Sequence, residues 1–163
     1  IHRAVPYPVF LVTSQGTEVS VSLAHKRFSQ SETGATVLDG PLISATLTAS
    51  QPPDRSDAIG SAFLASIGLT AQPRTHLHAL YQGWVERVEA LLAGGITGSF
   101  SPPDSDEAAT GRREALERHT RLQREITGLR AQAAKEKQIS RRVELNLTIQ
   151  RLEAELAKAT TNL

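Results

Sequence analysis

Residues 115–163 read ALERHTRLQREITGLRAQAAKEKQISRRVELNLTIQRLEAELAKATTNL, and this stretch decides the fold. In its first half Ala115, His119, Leu122, Ile126, Leu129 and Ala133 alternate spacings of four and three, the seam of a coiled coil. Leu145, Ile149, Leu152, Leu156, Ala159 and Leu163 repeat that rhythm in the second half, but two residues out of heptad phase. Two steps of about 100° turn the second stripe to nearly the opposite side, so one straight helix would face two ways. A fold-back centred on Ile139 removes the conflict. It pairs Ala133 with Leu145, Leu129 with Ile149, Ile126 with Leu152, Leu122 with Leu156, His119 with Ala159 and Ala115 with Leu163. It also sets Glu136 opposite Arg142 and offers Ser140 as the cap of the second helix. The expectation is an antiparallel, coiled-coil-like α-helical hairpin over 111–163, with its turn near 137–141.

Working outward, residues 98–110 are rich in Ser, Pro and Asp and read as a linker, which leaves 1–97 for a separate domain. From Pro8 to Leu23 the pattern is that of a β-hairpin: an apolar run Val9 to Val12, a turn around Ser14-Gln15-Gly16-Thr17, then alternation. Val19, Val21 and Leu23 take one face, and Glu18, Ser20 and Ser22 the other. Leu42 to Leu47 reads as a third strand after a Gly40-Pro41 break. A Gln51-Pro52-Pro53-Asp54 linker leads to a short helix capped by Ser56 and stopped by Gly68. The next helix carries Leu77, Leu80, Tyr81, Trp84, Val88, Leu91 and Leu92 on one face and is expected to end at Gly94-Gly95. That face should pack on the sheet with Trp84 in the core. The fold class is therefore α+β: a small antiparallel β-sheet packed by helices, followed by the helical hairpin.

Composition narrows the chemistry. With no cysteine, disulfide scaffolds, thiolate zinc sites and cysteine nucleophiles are all excluded. Eighteen basic residues against 17 acidic ones leave a net charge of +1, which gives no global electrostatic case for nucleic acid or membrane. No apolar run approaches the roughly 20 residues that span a bilayer, so a cytoplasmic protein without membrane partners is expected. His76 and His78, two apart on a helix, should point to different sides and cannot chelate as an i, i+4 pair would. Asp104 with Asp106 and Glu153 with Glu155 lack a neighbouring base at motif spacing. No catalytic, metal or cofactor site is expected.

Two basic features stand out. Lys26 and Arg27 follow a strand, and Lys135, Lys137, Arg141 and Arg142 cluster at the hairpin tip, where they could meet phosphates. Glu136 and Glu144 stand among the same cations, and the bland reading is a solvated surface. Gln138 and Arg142 continue the second seam backward and are expected on the inner face of the turn.

Three stretches carry a resemblance: Val5-Pro6-Tyr7-Pro8-Val9, Ala24-His25-Lys26-Arg27-Phe28, and Lys135-Glu136-Lys137-Gln138-Ile139-Ser140-Arg141-Arg142-Val143-Glu144-Leu145-Asn146. Nearly the whole chain resembles the bacterial domain-of-unknown-function family 4391. Its members typically read lysine-glutamate-lysine-glutamine-phenylalanine-asparagine-arginine-lysine-valine-glutamate-x-asparagine at the last place. Here Ile139 replaces the aromatic, Ser140 the asparagine and Arg142 the lysine, which keeps the charge but not the ammonium chemistry. The resemblance brings no assigned activity. It implies a further N-terminal region with more strands, and an accessory role beside helicases and DNA methyltransferases of restriction or phage-defence loci. The expected function is a non-catalytic, protein-interaction component of such an assembly, with Lys26, Arg27, Lys135, Lys137, Gln138, Arg141, Arg142 and Asn146 as candidate interaction residues. The alternative is a nucleic-acid-binding module that uses the basic strand end and the hairpin tip.

Overall fold

The computed structural model describes residues 1–48 and 55–163, with side chains of the second segment from residue 58 onward. The expected Gln51-Pro52-Pro53-Asp54 linker lies outside the described residues, and the side chain of Ser56, the expected cap, is likewise outside what is described. The chain forms two compact units, Ile1–Pro103 and Asp104–Leu163.

In the first unit β1 (Leu11–Gln15), β2 (Glu18–Phe28) and β3 (Thr36–Thr48) form an antiparallel sheet in the order β1-β2-β3. Gln15 pairs with Glu18, so the β1–β2 loop is only Gly16-Thr17. Gly16 sits at φ +59, the left-handed backbone that a two-residue hairpin loop with a leading glycine requires. The alternation of β2 is carried by Val21 and Leu23, which are buried, while Val19, near the β1–β2 loop, is exposed. On the other face the hydroxyls of Ser20 and Thr46 bond across the strands at 2.9 Å, and Ser22 bonds His2 at 2.9 Å.

Strand β3 is longer than its sequence suggests. It starts at Thr36 and runs through Gly40-Pro41 instead of beginning at Leu42. The register explains why: Leu23 faces Ile43 but His25 faces Asp39, so the ladder slips around Ala24 and Gly40-Pro41-Leu42. Gly40 is at φ +90, and the donor missing from Pro41 is tolerated on an edge strand at a bulge. Because β2 continues to Phe28, Lys26 and Arg27 lie inside a strand rather than after one.

Helix α1 (Arg55–Ser66), a 3₁₀ turn (Leu69–Ala71) and helix α2 (Leu77–Thr97) complete the unit. Its core gathers Val21, Leu23, Ala45, Phe63, Tyr81, Val85, Val88 and Leu91, with Phe10 and Trp84 packed partly buried against them. Leu77, assigned to the inner stripe from spacing, is 84% exposed at the start of α2. The helix also continues past Gly94-Gly95, because those glycines keep helical φ and the left-handed residue is Gly98, at φ +84. A close approach holds Gly94 inside the helix, where an added Cβ would come within 3.1 Å of the Ser99 carbonyl oxygen.

The second unit is the helical hairpin. Helix α3 (Asp106–Lys135) begins within the stretch read as linker, because Ser105 caps it by accepting from the Ala108 N–H. Residues 136–138 break the helix, and α4 (Ile139–Thr161) returns along it. Leu122, Ile126, Ala133, Ile149, Leu152 and Ala159 form the buried seam, flanked by Leu129, Leu145 and Leu156. Arg130 bonds Glu153 at 2.6 Å, and Arg118 lies 3.7 Å from Glu155 across the two helices. Ser140 does not cap α4: the cap position is Gln138, and Ser140 is already helical. Glu136 instead accepts from the Gln138 N–H at 2.8 Å, so its carboxylate serves the turn, and no Glu136–Arg142 pair forms among the described residues.

Candidate functional site

The two basic features of the sequence meet different fates. At the sheet, Lys26 donates to the His2 carbonyl and Arg27 lies 3.5 Å from Asp39, so both cations are engaged within the unit. At the hairpin tip Lys135, Lys137, Arg141 and Arg142 are exposed, and among the described residues none makes an ion pair or a side-chain hydrogen bond. Gln138 and Asn146 are exposed there too. Gln138 and Arg142 thus point to solvent rather than to the inner face of the turn, because the helix break places them beyond the last seam layer, Ala133 and Leu145.

Two of these cations, Arg141 and Arg142, run against the helix dipole. An α-helix carries partial positive charge at its N-terminus, where acids are favourable and cations are not. Helix α3 obeys this rule: Asp106 and Glu107 fill its first turn, and Lys135 stands in its last. In α4 the first turn holds Arg141 and Arg142, no acid, and no side-chain cap.

Close to these cations α4 also carries an apolar row outside the seam. Ile139, Val143 and Leu147 are 70%, 50% and 61% exposed, at i, i+4 and i+8 along α4. Val143 precedes the seam residue Leu145 by two positions, about 200° around the helix, so the row faces away from α3. Completing the burial of three such side chains is worth about 3–5 kcal/mol. The signal was present in the sequence as a second apolar spacing of four, masked because the seam already accounted for the heptads.

The histidines build no metal centre. His76 lies just before α2 and caps it, its Nδ1 accepting from the Ala79 N–H at 3.0 Å. What spacing could not reveal is the approach of His25 from β2. Its ring stacks on His78 with centroids 5.2 Å apart, meets Tyr81 edge-on, and bonds Gln82 at 2.8 Å. Stacked rings do not converge their nitrogens on one point, and among the described residues no three His, Asp or Glu are placed to hold a metal. At the open end of the hairpin an open groove of about 960 Å³ is lined by Glu114, Glu117, Arg118, Arg121 and Lys158. Its mixed signs suit no single ionic ligand.

The profile of the family described as Domain of unknown function (DUF4391) matches residues 1–156. The chain belongs to this family. Comparison with curated proteins found no match, and comparison with solved structures found none either. In this DUF4391 member the motif from Lys135 to Asn146 thus spans the end of α3, the turn and the first two turns of α4. Among the described residues no helix is long and apolar enough to cross a membrane.

Proposed function

We propose that this chain is a non-catalytic accessory component of a bacterial DNA-modification or phage-defence assembly, acting in the cytoplasm by presenting its coiled-coil-like hairpin to a partner protein such as a helicase or DNA methyltransferase. The observation that supports it is the hairpin tip: four cations with no partner in the described fold, beside an apolar row that the fold leaves uncovered. Functional sites are where local rules are broken without a local benefit, and cations at the N-terminus of α4 break one.

The test is mass spectrometry of what co-purifies with the protein from its native host after nuclease treatment. A helicase or methyltransferase should remain bound and be lost when Arg141 and Arg142 are both changed to Glu. The same four cations favour a second reading, a nucleic-acid-binding module. In that case no protein survives nuclease treatment, and duplex binding weakens steeply with salt, each phosphate contact steepening the slope by about one unit of log K per log salt.

A further inference from the structure

We propose that the hairpin tip receives an acidic amphipathic helix of its partner, with apolar side chains one per turn seated on Ile139, Val143 and Leu147 and carboxylates drawn by the cations of the tip, Lys135, Lys137, Arg141 and, flanking the row, Arg142. This deepens the protein-partner reading above and rests on it.

Residues four apart form one of the natural ridges of a helix surface, and such a ridge packs into the groove of a second helix. The row on α4 is a ridge of this kind, about 12 Å long, with the exposed cation Arg151 one step beyond Leu147. The unpartnered cations Lys135, Lys137, Arg141 and Arg142 outnumber the acids among them, Glu136 and Glu144, and the first turn of α4 holds no acid, so the net charge of the tip favours a negative occupant.

Other occupants fit one half of this surface but not the other. Phosphates match the cations yet gain nothing from an aliphatic row, which offers bases no aromatic platform. An anionic lipid surface also matches, but three aliphatic side chains bury far less than a single myristoyl chain, itself only a marginal anchor. A second copy would set two cationic tips against each other.

The experiment uses the 163-residue chain and a fluorescein-labelled synthetic helix with leucines at i, i+4 and i+8 and glutamates on both flanks, followed by fluorescence anisotropy. It should bind at least about tenfold tighter than a scrambled peptide of equal composition. The double variant Val143→Glu/Leu147→Glu should lose about tenfold in affinity, and Arg141→Glu/Arg142→Glu should reverse the preference toward a lysine-flanked peptide. The apolar-row variant should melt like the parent, since its side chains lie outside the seam, and the charge-reversed variant should melt no lower, since acids suit the N-terminus of α4. Equal affinity for the scrambled peptide, an apolar-row variant that binds like the parent, or displacement of the peptide by phosphatidylserine vesicles or duplex DNA would each overturn the inference. Self-association that depends on Val143 would do so as well. If the peptide fails while a host protein is still retained and still lost on charge reversal of the tip, the acidic-helix inference falls and the protein-partner reading stands.

Discussion

In residues 1–103 single polar side chains reach far along the chain, whereas in residues 104–163 the seam is aliphatic and the ion pairs lie at its surface. The Tyr81 hydroxyl accepts from the Ala24 N–H at 2.9 Å and lies 3.0 and 3.1 Å from the carbonyl oxygens of Val9 and Ala24, to either of which it donates. It thereby pins the slipped ladder of β2 to the segment that enters β1. Arg87 donates to the carbonyls of Ser66, Gly83 and Ala71, and the Trp84 indole donates to Ile67, so the end of α1 is closed by side chains of α2. In the hairpin one such contact stands among the described hydrogen bonds, from Arg112 to the Leu163 carbonyl at 3.4 Å, at the open end and outside the seam. The difference is between a fold specified by a few non-repeating polar contacts and one specified by a repeating apolar seam.

Each half of this comparison can be attacked at its core. Phe63, wholly buried, should cost about 3–5 kcal/mol when changed to Ala, and Leu122→Ala in the seam about 2–5 kcal/mol. Hydrogen exchange should localise each loss to its own unit, and a loss spread equally over both would break the division. Next in size, Tyr81→Phe deletes only a hydroxyl, yet it should destabilise the sheet unit by about 1–3 kcal/mol by orphaning the Ala24 N–H. A denaturant midpoint equal to that of the parent would show that the polar pin is dispensable.

Smaller still, Arg130→Ala should cost the hairpin at most about 1 kcal/mol despite a 2.6 Å contact with Glu153, because Arg130 is mostly and Glu153 partly in solvent. A larger loss would mean that the seam is not what holds the helices. Last, His2 is held below the ordinary imidazole pKa by burial first, and also by the nearby Lys26 ammonium. The folded state therefore resists protonation, so this contribution to stability is complete above pH about 6.5 and is lost as pH falls toward the lowered folded value. Chemical denaturation at pH 7 and pH 5 should show a decline that His2→Gln reduces.

The same contrast explains what could be read from residues alone. The hairpin was legible because its seam is periodic, and the opposed phases of Ala133 and Leu145 demand a reversal. Its capping was misassigned to Ser140 because Glu136, from before the break, supplies the oxygen that the turn uses. In the sheet unit the alternation of Val19, Val21 and Leu23 was plain, but Gly40-Pro41 looked like a strand break, since nothing local announces that Ala24 slips the ladder opposite it. At the candidate site the cations were visible in the sequence, while their lack of partners was not. Lys26 and Lys135 look alike in sequence, and only the fold shows that one is engaged and the other is not.

The turn at 136–138 also has a consequence for how this surface can change. The side chains of Lys137, Ile139, Arg141, Arg142 and Val143 lie outside both the buried seam and its partly buried flank. Substitutions there are close to silent in folding free energy. The tip can therefore change one residue at a time while the scaffold stays the same.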